Sequence, residues 1–177
     1  DIPRCEADDI AGVLVKHLHS KYNRIMLVSS DGDWSQLQCY NNIKQWNPVL
    51  AKVVKPKFGG PDAFLKHKII KGDKKDGVAN ILSKSDAVIT GVRQTSILNK
   101  KYNEWMFSTK PEDFCNEQML KRYKENELLL DLHRVPEQYE QQILKAFNEY
   151  KVPSKSKIYS YLIKNNLSDH IGNISDF

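Results

Sequence analysis

The sequence predicts an α/β fold whose sheet lies in the first third and whose remainder is helical. Three observations carry this. A helix-period stretch, ADDIAGVLVKHLH at 7–19, is followed by RIMLVSS, a short apolar run at 24–30 bounded by polar residues. Such a run reads as a buried, parallel strand, and helix–strand–polar loop is half of a doubly wound unit. After residue 108 helix starts recur, with no further strand pattern.

Element by element, Ile10, Val13, Leu14, Val15 and Leu18 form one stripe of the first helix, with acids in its first turn where the macrodipole favours them. DWSQLQCY starts a short helix after the strand, and 43–46 and 50–54 read as two short strands able to form a ribbon. Pro61 opens a helix with Phe64, Leu65, Ile69 and Ile70 at helical spacing, and Gly72 ends it. GDKKD is a turn. Residues 83–108 have weak periodicity and are expected to be a flexible or variable part. Thr109 with Glu112 fits a capping box ahead of a helix at 111–124, and further helices are expected at 136–150 and 154–165. An α/β core at 1–60 and a helical region at 61–177 follow as the domain division.

The chain has 177 residues, enough for one domain with a sizeable core, and a formal net charge of +5. No apolar run has the length of a membrane span. Cys5, Cys39 and Cys115 lack CxxC spacing, which argues against a zinc site or disulfide framework and favours a reducing, cytoplasmic setting. Cys39 and Cys115 read as packing residues with no base beside them, and the five histidines show no ligand spacing. Tyr159 and Tyr161 read as helix packing, and Trp34 as a buttress to the loop before it.

The acids are crowded unusually. Glu6 and Asp8 lie in CEADD, where capping is the plainer reading of them alone; Asp31 and Asp33 lie in SSDGD, where a plain Asp-Gly turn is. The second pair sits past the carboxyl end of a strand, the edge at which open α/β sheets bind ligands, and Gly32 would let both side chains face one locus. Asp73 and Asp76 lie in GDKKD. From Lys44 to Lys75 there are nine lysines and two acids. A basic face beside a carboxylate cluster suits an enzyme that grips phosphates and presents metal ions to one of them. A small α/β phosphatase-like domain would explain DGD but not the basic helical tail.

In this order, EADD, SSDGD and GDKKDG resemble the signatures of the 5′ nuclease superfamily, the flap endonucleases and 5′-to-3′ exonucleases. RYKENELLLDLHRVP and YKVPSKSKIYSYLIKNNLSDHI are similar to segments of its T-even-type phage ribonuclease H branch. The resemblance implies the carboxyl-terminal part of a PIN-like parallel-sheet domain, then a helix–three-turn–helix and a helical region. It implies two magnesium ions, with manganese as a substitute. Asp8 and Asp31, helped by Glu6, would hold the first; Asp33, Asp73 and Asp76 would hold the second, with Asp8, Asp31, Asp33 and Asp76 the catalytic set. Lys66, Lys71, Gly72, Lys74 and Lys75 would meet phosphates of double-stranded DNA, RNA–DNA duplexes and 5′ flaps. A replication single-strand-binding protein is an implied partner and host cytoplasm the implied location. Gly77 stands where the family has Asn, which puts a turn hydrogen bond in doubt. The family's amino-terminal part, with further metal-binding acids, is missing from this chain, so weak or absent hydrolysis by the chain alone is expected. A non-catalytic DNA-binding fragment is the alternative.

Overall fold

The structure is a computed structural model, and it describes residues 2–151 and 156–176. Two compact units divide the chain, 1–144 and 145–177. In the first, helix α1 (Ala7–Leu18) is followed by strand β1 (Ile25–Val28), a 3-10 helix at Asp33–Cys39, and strands β2 (Ile43–Asn47) and β3 (Lys52–Val54). β1 pairs parallel with β2 in the register Leu27↔Gln45, and β2 pairs antiparallel with β3, so 43–54 is the expected ribbon. β1 is not buried on both faces. It lies at an edge of the sheet, order β1-β2-β3, and exposes Met26 and Val28 while Leu27 turns inward.

Two apolar clusters hold this part together. Val15 of α1, Leu27 of β1, Leu37 of the 3-10 helix and Ile43 of β2 pack with Trp34 and Tyr40 at their margin. Ile2, Val13 and Ile143 form a second, with Ile143 on helix α5 (Glu137–Glu149).

Helix α2 (Pro61–Lys71) starts at Pro61 and stops at Gly72. Gly72 has φ +71, and a Cβ there would stand 2.4 Å from the Val78 carbonyl oxygen. Only glycine fits this approach of the helix end to the returning chain. Beyond it, Ile69 and Ile70 pack with Ile81, Trp105 and Tyr123 in the largest cluster.

The segment 83–108 departs from the sequence expectation. Its second half is helix α3 (Asn99–Phe107), whose Trp105 enters that cluster with Tyr102 and Met106 beside it. One buried residue in a nine-residue helix leaves almost no periodicity to read. The preceding stretch is held by polar groups. The Asn80 amide N–H donates to Gln94 Oε1 and its side chain to the Thr95 carbonyl, while Ser83 Oγ donates to Asn80 Oδ1 and accepts from Thr95 N–H. Hydrophobic patterning cannot report order of this kind.

The next helix start is also displaced. Residues Pro111–Asp113 form a single 3-10 turn, tied by Asp113 to Ser108 and Lys110 rather than by Thr109 and Glu112. Helix α4 (Glu117–Leu130) begins after Asn116, whose side chain accepts from Met119 N–H at 2.9 Å. Asn126, fully buried on α4, donates to the carbonyls of Ile69 (2.9 Å) and Ala79 (2.8 Å) and so clamps both arms of the GDKKD turn.

In the second unit, helix α6 (Ser156–Lys164) packs against a 3-10 segment, Ser168–Asp176, with Leu162 buried. Tyr159 and Tyr161, expected to pack, are more than half exposed. Residues 154 and 155 of the expected last helix lie outside the described residues. Among the described residues no helix is long and apolar enough to cross a membrane.

Candidate metal centre

At the start of α1, Asp8 and Asp9 turn different ways. Asp9 accepts from the Glu6 N–H at 2.9 Å and takes the capping role. Asp8 turns instead toward the loop after β1 and accepts from the indole Nε1 of Trp34 at 2.8 Å. Trp34 therefore orients an acid as well as packing.

Behind that loop lies Gln45, fully buried on β2. Its Nε2 donates to the carbonyls of Ser29 (3.0 Å) and Asp31 (2.6 Å). The loop closes on itself as well: Asp31 N–H donates to Ser29 Oγ and Asp33 N–H to Asp31 Oδ1 at 2.9 Å. Gly32 has φ −70 and ψ −25, with open space where a Cβ would lie, so the turn does not require glycine. Gly32→Ala is expected to leave the loop unchanged and raise stability by about 0.5 kcal/mol through the unfolded state. A thermal midpoint lowered by several degrees would refute this.

The third acidic segment follows α2. Asp73 Oδ1 accepts from Lys75 N–H at 2.8 Å, and Asp73 pairs with Val78 across the turn. Gly77 has φ +74. Asn and Gly both favour that left-handed region, so glycine preserves the backbone shape of an Asn turn.

All six predicted acids line one polar cavity of about 420 Å³: Glu6, Asp8, Asp31, Asp33, Asp73 and Asp76, with Lys75 at its edge. Asp33, Asp73 and Asp76 each bring a carboxylate oxygen within 4.8 Å of the others. Lys68, from the buried face of α2, reaches these three. Its ammonium bonds Asp33, lies 2.7 Å from Asp73 Oδ2 and stands 3.8 Å from Asp76 Oδ2. Sequence reasoning placed Lys68 in the basic cluster but not in the site. The signal was its position one helical turn after Phe64, on the side α2 buries. For Gln45 there was no signal beyond a polar residue at an inward strand position.

The electrostatics follow from this packing. Burial pulls the Lys68 ammonium down, but the hydrogen bonds and charges of Asp33 and Asp73 outweigh it and hold it above its ordinary value. Burial pushes Asp73 up, but its bond to Lys68 and the Lys75 amide bring it below the usual carboxylate range. Asp76 is raised, by burial and then by the charge of Asp73. Asp8 is raised by burial, with Asp31 and Asp33 adding to it and the Trp34 bond opposing. Six hard oxygen donors around one small cavity suit magnesium or manganese rather than a soft-ligand metal.

The predicted phosphate contacts are less uniform. Lys74 and Lys75 are exposed at the turn. Lys71 sits 4.7 Å above the Tyr102 ring and lines a second polar cavity with Lys74, Asn80, Gln94, Thr95 and Ser96. Lys66 points elsewhere. Its ammonium donates to the Met106 (3.1 Å) and Ser108 carbonyls and fastens α2 to the end of α3.

Comparison with known proteins agrees with this architecture. A ribonuclease H of phage T4 is 39% identical over 184 aligned residues, which take in all of this chain and 59% of that protein. A metal-bound phage T5 protein superposes with a TM-score of 0.54 at 18% identity, covering 81% of this chain and 60% of the other. A phage T5 flap endonuclease, in a pseudo-enzyme–product complex with DNA and metal ions, superposes at 0.50 and 18% identity, covering 79% and 59%. The chain thus spans about three-fifths of the relatives it matches. Residues 59–177 match the family described as T4 RNase H, C terminal, so the chain belongs to that phage ribonuclease H family.

Proposed function

We propose that this chain is the metal-binding and duplex-binding part of a phage 5′-to-3′ exonuclease and flap endonuclease with ribonuclease H activity. The reaction would remove RNA primers and flaps in host cytoplasm by two-metal phosphodiester hydrolysis. The single observation that carries the reading is the convergence of six carboxylates, from three separate segments, on one cavity beside a lysine-rich turn.

Asp8 and Asp31, with Glu6, would hold one magnesium ion; Asp33, Asp73 and Asp76 would hold the other. Bound magnesium would supply an activated water and charge stabilisation at the phosphate. The chain's own residues do the positioning. Trp34 fixes Asp8, Gln45 fixes the Asp31 loop, and Lys68 holds Asp33 and Asp73 together. The α2–turn–α3 arrangement supports a helix–three-turn–helix reading. Lys71, Lys74, Lys75 and the backbone at Gly72 would meet duplex phosphates, contacts that select structure rather than sequence. The exposed aromatics Tyr159 and Tyr161 offer a surface for a replication single-strand-binding protein.

One observation favours a second reading, a DNA-binding fragment without catalysis. Lys68 already supplies a cation to Asp33, Asp73 and Asp76. The two are separated by single-turnover cleavage of a 5′-flap and an RNA–DNA duplex in magnesium, alongside binding at several salt concentrations. The chain alone is expected to bind with a steep salt dependence and to cleave weakly, with cleavage rising in a form that spans the full length of the relatives. A longer form that binds duplex but never cleaves would establish the second reading.

A further inference from the structure

Outside the metal cavity the structure brings together three side chains that sequence reasoning left apart. Cys39, expected to be a packing residue without a base, is exposed at the end of the 3-10 helix. Its Sγ lies 3.5 Å from Nε2 of His133, which comes from the turn after α4. The other ring nitrogen, Nδ1, faces Asp131 Oδ1 at 3.2 Å, and the same carboxylate oxygen accepts the His133 backbone N–H at 2.9 Å. Asp131 is in turn held by Arg134 at 3.2 Å. This is nucleophile, base and orienting acid in sequence, built from segments 94 residues apart.

The imidazole also has aromatic neighbours. Tyr40 meets it edge-on, with ring centroids 6.0 Å apart, and His19 stacks on Tyr40 at 3.8 Å. The hydrogen bonds to Asp131 and to Cys39 outweigh burial and raise His133 to about 9. The sulfur and Nε2 share one proton across this contact, so an attacking sulfur can leave its proton on the imidazole. Among the described residues the other two cysteines have no such partner. Burial, then the charge of Glu112, pushes the Cys115 thiol up to about 11, and burial with Asp9 raises Cys5.

We propose that Cys39 is a thiol-modification site, activated by His133 and oriented through Asp131, that exchanges with low-molecular-weight disulfides. The Cys39 sulfur attacks one sulfur of the small disulfide. A protein–small-molecule S–S bond forms, the original S–S bond breaks, and the departing half leaves as a thiol carrying the proton that Cys39 gave up to His133. The small disulfide is the oxidant, and no other co-reactant is needed.

The test follows mixed-disulfide formation with glutathione disulfide at each of the three cysteines by mass spectrometry. The protein is compared native and unfolded in urea, from pH 6 to 9. At pH 7 native Cys39 is expected to react about tenfold faster than in urea, while native Cys115 reacts more slowly than in urea. His133→Gln in a folded protein should bring Cys39 to its urea rate, and Asp131→Asn should fall between. The pH profile reflects His133 together with Tyr40, His19, Lys16, Asp131 and Arg134, the titratable and charged groups around it. Native Cys39 reacting no faster than in urea overturns the proposal, and this comparison needs no variant to fold. An unchanged rate in folded His133→Gln overturns it equally.

Discussion

Asp31→Asn is expected to lower cleavage by a cleavage-competent form of the protein on the order of a thousandfold, the several kcal/mol a lost metal ligand represents. The fold should survive. Asp31 holds its loop through Oδ1, which accepts the Asp33 N–H, and through its backbone carbonyl, which accepts from Gln45. An Asn side chain keeps an Oδ1 acceptor and the carbonyl is untouched, so the substitution removes a charge and little else. Duplex binding in calcium-free, magnesium-free buffer should change little, because the lysines of the turn are separate from Asp31. Asp33→Asn is a less clean experiment, since Asp33 is also a partner of Lys68. Cleavage by Asp31→Asn at the parent rate would remove Asp31 from the metal site.

Lys68→Met is expected to destabilise the protein by about 3 kcal/mol in chelator at pH 7, the lower end for breaking a buried ion pair because the acids keep some exposure to water. Three carboxylates would then face one another without a cation. A divalent ion at a hundred times its dissociation constant should return about 2.7 kcal/mol to the variant. The pH dependence has a definite sign. Asp73 is held below its ordinary value of 3.8, so its contribution is complete above that pH and is lost as pH falls through its lower folded value. Lys68 is held above 10.5, so its contribution is present below that pH and is lost as pH rises past its raised folded value. The parent should therefore lose stability at both extremes. The variant should gain from mild acidification, which relieves the repulsion. Urea unfolding with and without magnesium measures all of this, and equal stability of the two proteins in chelator at neutral pH would refute it.

The parts of the fold that were legible in the sequence are those built on apolar period. α1, β1 and α2 were readable from stripes such as Ile10–Val13–Leu14 and from the bounds Pro61 and Gly72. What escaped was built on polar contacts. α3 buries one tryptophan, and the stretch before it is ordered by Asn80, Ser83 and Gln94. The start of α4 moved because Asn116, an ordinary polar residue in sequence, is its cap. At the candidate metal cavity the acids could be listed from the sequence, since three acidic segments in one order resemble a family's signatures even though a cap or a turn explains each alone. Their supports could not. A buried lysine, a buried glutamine and a tryptophan each serve the site by reaching a separate segment of the chain, and one-dimensional spacing carries no trace of the partner. Cys39 and His133 belong to the same class.

Gln45 has a bearing on how the site comes into being. Side chains on a strand alternate faces, so sliding β2 by one residue against β1 would turn Gln45 outward and release the Ser29 and Asp31 carbonyls together. Carboxylate placement is thereby slaved to correct strand alignment. During refolding, affinity for a divalent ion should emerge in step with β1–β2 pairing and not with helix formation. Ion binding would then serve as a proofreading signal for sheet register, distinguishing the native chain from a compact, misaligned one of similar helicity.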